Sequence, residues 1–151
     1  GLTYRSELVE KLALGAYSTP FRPNRTPHDW ISRNEAAVDE YEADELSGSM
    51  FTVGAYSEMF GLLGRVCSTS HLNATPRDLP ILIISGDRDP VGHMGSGPRE
   101  LEKRYREAGV EDVTLELYAG CRHELLNELD HEMVENDVLD WIEGHILEQE
   151  V

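Results

Sequence analysis

Long apolar runs are missing from this chain. The longest, Ile81 to Ile84, spans four of the 151 residues, whereas a bilayer-crossing helix needs about twenty, so no membrane span is present. Basic residues are also scarce: 13 Lys and Arg stand against 29 Asp and Glu, for a formal net charge of -16. Such a surface repels a phosphate backbone, which must be met by clustered cations, and nucleic-acid binding is excluded. Cysteine is limited to Cys67 and Cys121, in no CxxC or Cys/His spacing, which removes disulfide frameworks and structural zinc. No GxGxxG follows an apolar strand, so a dinucleotide site has no support, and no cofactor is expected. Residues 1–5 carry no basic flank, apolar stretch and small-residue cleavage site, and the expected location is cytoplasmic.

What remains divides into two grammars. From Ser6 to Leu14 the positions of Leu8, Val9 and Leu12 predict a short helix stopped by Gly15. Pro20 and Pro23 then make a loop. Thr26, Pro27 and Asp29 form an N-terminal capping signal for a helical turn carrying Trp30 and Ile31, and Ser32 with Glu35 forms a second one for a helix to about Tyr41. Met59, Leu62, Leu63 and Val66 recur on one helix face, and Ser68 to Leu79 reads as a linker. After Pro80 the pattern changes. Ile81-Leu82-Ile83-Ile84 is apolar on both faces, as in a strand buried within a parallel sheet. A helix opening near Pro98 and closing at Gly109 follows, with Leu101, Tyr105 and Ala108 as its stripe and with Glu100/Arg104 and Glu102/Arg106 four apart. Val113 to Tyr118 alternates as a second strand, and Val134, Val138, Trp141, Ile142 and Ile146 line a final helix. Strand, helix, strand, helix is the order of an α/β parallel sheet. Two strands cannot cover both faces of Ile81 to Ile84, so either weak strands lie upstream or the neighbours lie outside this chain.

Each strand exits into a turn with an ionisable side chain: Asp89 in Gly86-Asp87-Arg88-Asp89-Pro90, and His123 in Gly120-Cys121-Arg122-His123-Glu124. Ligand and catalytic groups of open parallel sheets collect at these strand ends. A carboxylate that orients an imidazole, which takes a proton from a weak hydroxyl, is the arrangement that activates a nucleophile at neutral pH. The competing acid is Asp87, which being nearer the strand is expected to point into the turn. The bland alternative is that Asp89 caps a loop and His123 is a polar turn residue. His123-Glu124 begins like HExxH, but position 127 is asparagine and no zinc site results. The other histidines, His28, His71, His93, His131 and His145, are expected at solvated positions. The aromatic residues Trp30, Tyr41, Phe51, Tyr56 and Phe60 are expected in the core or around an acyl pocket.

The block Pro80 to Gly92, followed by Val113 to Tyr118 and Gly120 to Glu128, resembles the carboxyl-terminal half of bacterial lysophospholipase or monoacylglycerol-lipase-like α/β hydrolases. Asn24 to Arg33 and Val38 to Tyr41 resemble the helical cap of the same family. The resemblance implies a helical cap region over residues 1–75 and a core segment of the α/β-hydrolase sheet over 76–151. It implies Asp89 as triad acid, His123 as triad base, and a carboxylic ester of lipid-like or small acyl type as substrate. Cys121 stands where the family more often has alanine, and Asp44 to Gly48 replaces a usual Asp-Pro-Leu-Cys-Gly turn. The larger departure is that no GxSxG occurs in these residues. Ser96, in Gly92-His93-Met94-Gly95-Ser96, sits in a scrambled version after the acid turn and is set aside as nucleophile. The nucleophile is therefore expected on an amino-terminal half outside this sequence. A rival expectation is a silent module that docks onto such a half, or that self-associates through its exposed sheet edge.

Overall fold

The computed structural model describes residues 1–147: helices precede and flank a two-stranded parallel sheet. Helix α1 (Glu7–Ala13) starts where the Ser6 hydroxyl accepts from the Val9 amide. Half of the capping pattern expected at Thr26 forms, Asp29 Oδ1 accepting from Thr26 N at 3.0 Å, while Thr26 Oγ1 accepts from His28 N at 3.1 Å, one residue before the Asp29 amide. Helix α2 (Glu35–Ala43) corrects one expectation, because its cap is Asn34 and not Ser32. Ser32 is 1% exposed and its hydroxyl donates to the Asn127 carbonyl at 3.0 Å. The buried Ser32 hydroxyl left unpaired would cost more than a cap that a neighbouring side chain can supply, so Asn34 takes the helix.

Helices α3 (Val53–Val66) and α4 (Thr69–Leu72) are capped by Thr52 and Ser68. The apolar face expected on α3 exists but has little to pack on: Leu62 is 52% and Leu63 48% exposed. Among the described residues no strand precedes β1 (Ile81–Gly86), and Arg5 and Thr52 form only an isolated antiparallel bridge. β1 pairs in parallel with β2 (Val113–Tyr118), from Ile81 opposite Val113 to Gly86 opposite Tyr118. With one neighbour, Ile81 to Ile84 are half-buried where their composition calls for full burial.

The crossover helix α5 (Ser96–Glu107) begins before Pro98, because Gly95 at φ 80° turns the chain into it. Of its two anticipated ion pairs Arg106 reaches Glu102 at 3.0 Å, while Arg104 donates instead to the Cys67 carbonyl at 2.6 Å. Helix α6 (His131–Leu147) places Val134 in a cluster with Tyr118, Cys121 and Leu125, against which Ile84 packs. Its distal stripe departs from expectation, since Ile142 and Ile146 are exposed.

The strand ends meet at a close approach. A Cβ on Gly86 would lie 2.1 Å from the Cys121 carbonyl oxygen and 2.3 Å from that of Arg122, both backbone atoms that cannot swing away. Gly86→Ala should therefore lower stability by about 1–3 kcal/mol or more, read as a reduced urea midpoint with an unchanged slope.

Candidate functional site

The turn after β1 fixes two acids in different directions. Asp87 donates its amide to the Tyr118 carbonyl at 3.0 Å, and its Oδ1 accepts from Gly120 N at 2.7 Å, so its carboxylate closes the end of the strand pair. Asp89 is 7% exposed, and its Oδ1 accepts from Val91 N at 2.8 Å. That leaves Asp89 Oδ2 facing the imidazole of His123, 3.1 Å from Nδ1. With the carboxylate ionised, Nδ1 carries the proton and donates. Nε2 then keeps a lone pair, and it makes no hydrogen bond among the described residues. The Asp89 hydrogen bond raises the His123 pKa above its ordinary value; burial opposes this, and the charges of Asp89 and Glu124 add to it.

The histidine turn is held from the other side by a segment far away in sequence. Glu128 is fully buried, its Oε1 accepting from Arg122 N at 2.7 Å and Arg33 N at 3.2 Å, and its Oε2 from Arg33 Nε at 2.9 Å. Arg33 also reaches Asp130 at 2.5 Å and the Cys121 sulfur at 3.2 Å, and its pKa is raised by these acids. Burial lowers the Arg122 pKa, while its guanidinium donates to the carbonyls of Asp29 and Ser32 and lies over the Phe21 ring at 4.4 Å. Sequence reading assigned Glu128, Arg33 and Arg122 no function. Glu128 stands in an acidic stretch that resembles any solvated surface, and its only signal was its place at the end of the Gly120 to Glu128 block.

Trp30 joins this turn to a cavity. Its ring lies 5.2 Å from that of His123 and 5.2 Å from that of Tyr17. It also lines a space of about 730 Å³ bounded by Tyr41, Leu46, Met50, Phe51 and Tyr56. Four of the five anticipated aromatics thus meet there, while Phe60 stacks on Tyr56 at 5.8 Å. The Tyr56 hydroxyl, buried and donating to Glu10, has a raised pKa. The Ser96 hydroxyl donates to the His93 carbonyl at 2.8 Å and makes no hydrogen bond to His123. His28, His131 and His145 contact Glu42, Glu135 and Asp112, and no metal-binding cluster occurs among the described residues. Nor is any helix there long and apolar enough to cross a membrane.

This sequence matches the serine aminopeptidase S33 family over residues 2–130. The chain belongs to that family of α/β hydrolases. It is 30% identical over 119 residues to a monoacylglycerol lipase of Mycolicibacterium smegmatis, covering 78% of this chain and 40% of that protein. A thermostable carboxyl esterase from Bacillus coagulans, solved with glycerol, superposes with a TM-score of 0.87 at 24% identity, over 95% of this chain and 47% of that one. A monoacylglycerol lipase from Paleococcus ferrophilus gives 0.63 at 21%, over 95% of this chain and 56% of that one. At these identities the two superpositions establish the fold, a partial α/β-hydrolase sheet with its helices. The chain spans less than half the length of the lipase from Mycolicibacterium smegmatis and of the esterase.

The raised His123 pKa has a definite sign. The pair with Asp89 stabilises the folded chain fully below the unfolded histidine value of 6.5, and this contribution is lost as pH rises through the higher folded value. NMR titration of the ring should give a His123 midpoint above 6.5, and Asp89→Asn should bring it down.

Proposed function

We propose that the chain supplies the acid and base of a serine hydrolase acting on carboxylic esters of lipid-like or small acyl substrates, the nucleophile being carried on a separate amino-terminal part. The carrying observation is the 3.1 Å contact of Asp89 with His123 at the carboxyl ends of adjacent parallel strands, with Nε2 left as a proton acceptor. In this reading the serine hydroxyl attacks the ester carbonyl as His123 Nε2 takes its proton. His123 later returns the proton to the leaving alcohol, while Asp89 holds the tautomer and stabilises the imidazolium. Residues 1–75 form the cap and the aromatic cavity receives the acyl group. A cytoplasmic setting belongs to the same proposal, and the unpaired Cys67 and Cys121 suit a reducing compartment. Ester rather than peptide substrates are supported by the named relatives.

In the enzyme with both parts present, His123→Ala and Asp89→Asn should each lower kcat on a p-nitrophenyl ester on the order of 10⁴-fold. Near-normal turnover by His123→Ala would overturn the assignment, and a harmless Asp89→Asn beside a crippling Asp87→Asn would move the acid to Asp87. Turnover of leucine p-nitroanilide in preference to the ester would make it a peptidase. The 151-residue chain alone should take no stoichiometric fluorophosphonate label; one labelled serine would place the nucleophile inside it.

A second reading is favoured by the open apolar surface of α3 and the half-buried β1: on its own the chain is a silent module that docks on an amino-terminal half or pairs with itself through the sheet edge. Size-exclusion chromatography should then show a dimer or larger species. A monomer with cooperative unfolding would count against this reading.

A further inference from the structure

We propose that Glu128 is a positioning residue for His123: its buried carboxylate sets the register of the histidine turn against the Asp89 turn by clamping it to residues 31–33. Besides Arg122 N and the two Arg33 donors, Glu128 Oε2 accepts from Leu129 N at 3.2 Å, so both oxygens are fully engaged. The Arg122 amide immediately precedes the His123 residue. On its far side the Glu124 amide donates to the Ile31 carbonyl at 2.8 Å. The histidine is thus bracketed by one bond made directly to this segment and one made through Glu128 to Arg33, and Trp30, next to Ile31, places its ring against the imidazole.

The strand pairing and the bonds that continue it set only part of this geometry. The register ends at Tyr118, and the bonds from Asp87 N to the Tyr118 carbonyl, Gly120 N to Asp87 and Arg88 N to the Cys121 carbonyl reach no further than Cys121, so past it the two turns meet through the 3.1 Å bond of Asp89 with His123. A shift of the turn by a fraction of an ångström would loosen that bond while leaving the sheet intact. A glutamine at 128 supplies one acceptor oxygen where four amide or guanidinium donors converge, and turns its own NH₂ toward the rest. The charged groups facing His123 are Asp89 and Glu124; those facing Glu128 are Arg33 and Arg122.

The test needs no turnover, so it stands apart from the hydrolase reading. The purified chain, labelled with ¹³C at histidine Cε1, is titrated by NMR, with His123 assigned from His123→Gln. Glu128→Gln should lower the His123 midpoint toward that of Asp89→Asn, while His28, His131 and His145 titrate as in the parent and report an intact fold. In the Asp89→Asn background, adding Glu128→Gln should change the His123 midpoint no further, because the bond through which Glu128 acts is already gone. An unchanged midpoint in folded Glu128→Gln, or shifts that add in the double variant, would make Glu128 merely structural. Should Glu128→Gln fail to fold, Arg33→Gln removes one donor from a partly exposed position; a smaller downshift supports the proposal, and no shift overturns it.

Discussion

The fold of the site rests on a carboxylate that has been taken wholly out of water. A buried carboxylate is expensive unless its lone pairs are met and its charge is countered. Glu128 meets both conditions with three backbone amides and the Arg33 guanidinium, groups drawn from residues 95 apart as well as from its own turn. Removing one side of such a pair typically costs about 3–5 kcal/mol, against a total domain stability of about 5–15. One carboxylate therefore carries a large share of the junction between Ile31 to Arg33 and Cys121 to Glu124, beside the bonds from Glu124 N to Ile31 and from Arg122 to Ser32. Cys121 shares in this: its thiol is fully buried beside Arg33, and burial raises its pKa, so it stays a neutral sulfur accepting from the guanidinium.

The sheet shows the opposite condition, a group of residues better suited to burial than their surroundings allow. Ile81 to Ile84 are β-branched or leucine, the composition of an internal parallel strand, yet they sit half-buried with β2 as their one strand neighbour among the described residues. Leu62 and Leu63 on α3 and Ile142 and Ile146 on α6 face outward in the same way. Scattered exposed apolar residues are ordinary. Runs of them on a strand and on two helices, in a chain spanning 47% of the esterase it superposes on, support the proposal that the site is divided.

Where the sequence could be read, local chemistry and tertiary packing agreed. Both strands were legible because their β-branched runs and bounding turns leave no helical alternative, and the Asp89 and His123 turns followed from them. Ser32 misled because a capping box is a local signal, while the demand of the Asn127 carbonyl comes from the far end of the chain. Pro98 misled by two residues because the left-handed turn at Gly95, not the proline, starts α5. The outer stripe of α6 has helical periodicity whether or not anything covers it. Glu128 was illegible for the same reason as Ser32: nothing within its own neighbourhood distinguishes a buried acid from the exposed one at Glu132.

Two acids in one turn can divide their work only if the turn does not move. Asp87 spends an oxygen on the Gly120 amide, which ties the end of β1 to the end of β2. That bond holds its carboxylate at the end of the strand pair, and the hydrogen bond to the imidazole is made by Asp89 instead. Asp89, two residues on, has its amide on the Gly86 carbonyl, its carbonyl on the Met94 amide and Oδ1 on Val91 N. The chain then passes through His93 and Met94 at φ 50° and 55° before Gly95, a left-handed stretch that side chains other than glycine adopt at a cost. Such a conformation persists only where the surroundings over-determine it, and here the Met94 bond to Asp89 and the Gly97 bond to the Gly92 carbonyl do so. The left-handed stretch and the catalytic acid are thus anchored at one residue by different atoms: the Asp89 carbonyl accepts from Met94, while Val91 N on Oδ1 leaves Oδ2 turned toward His123.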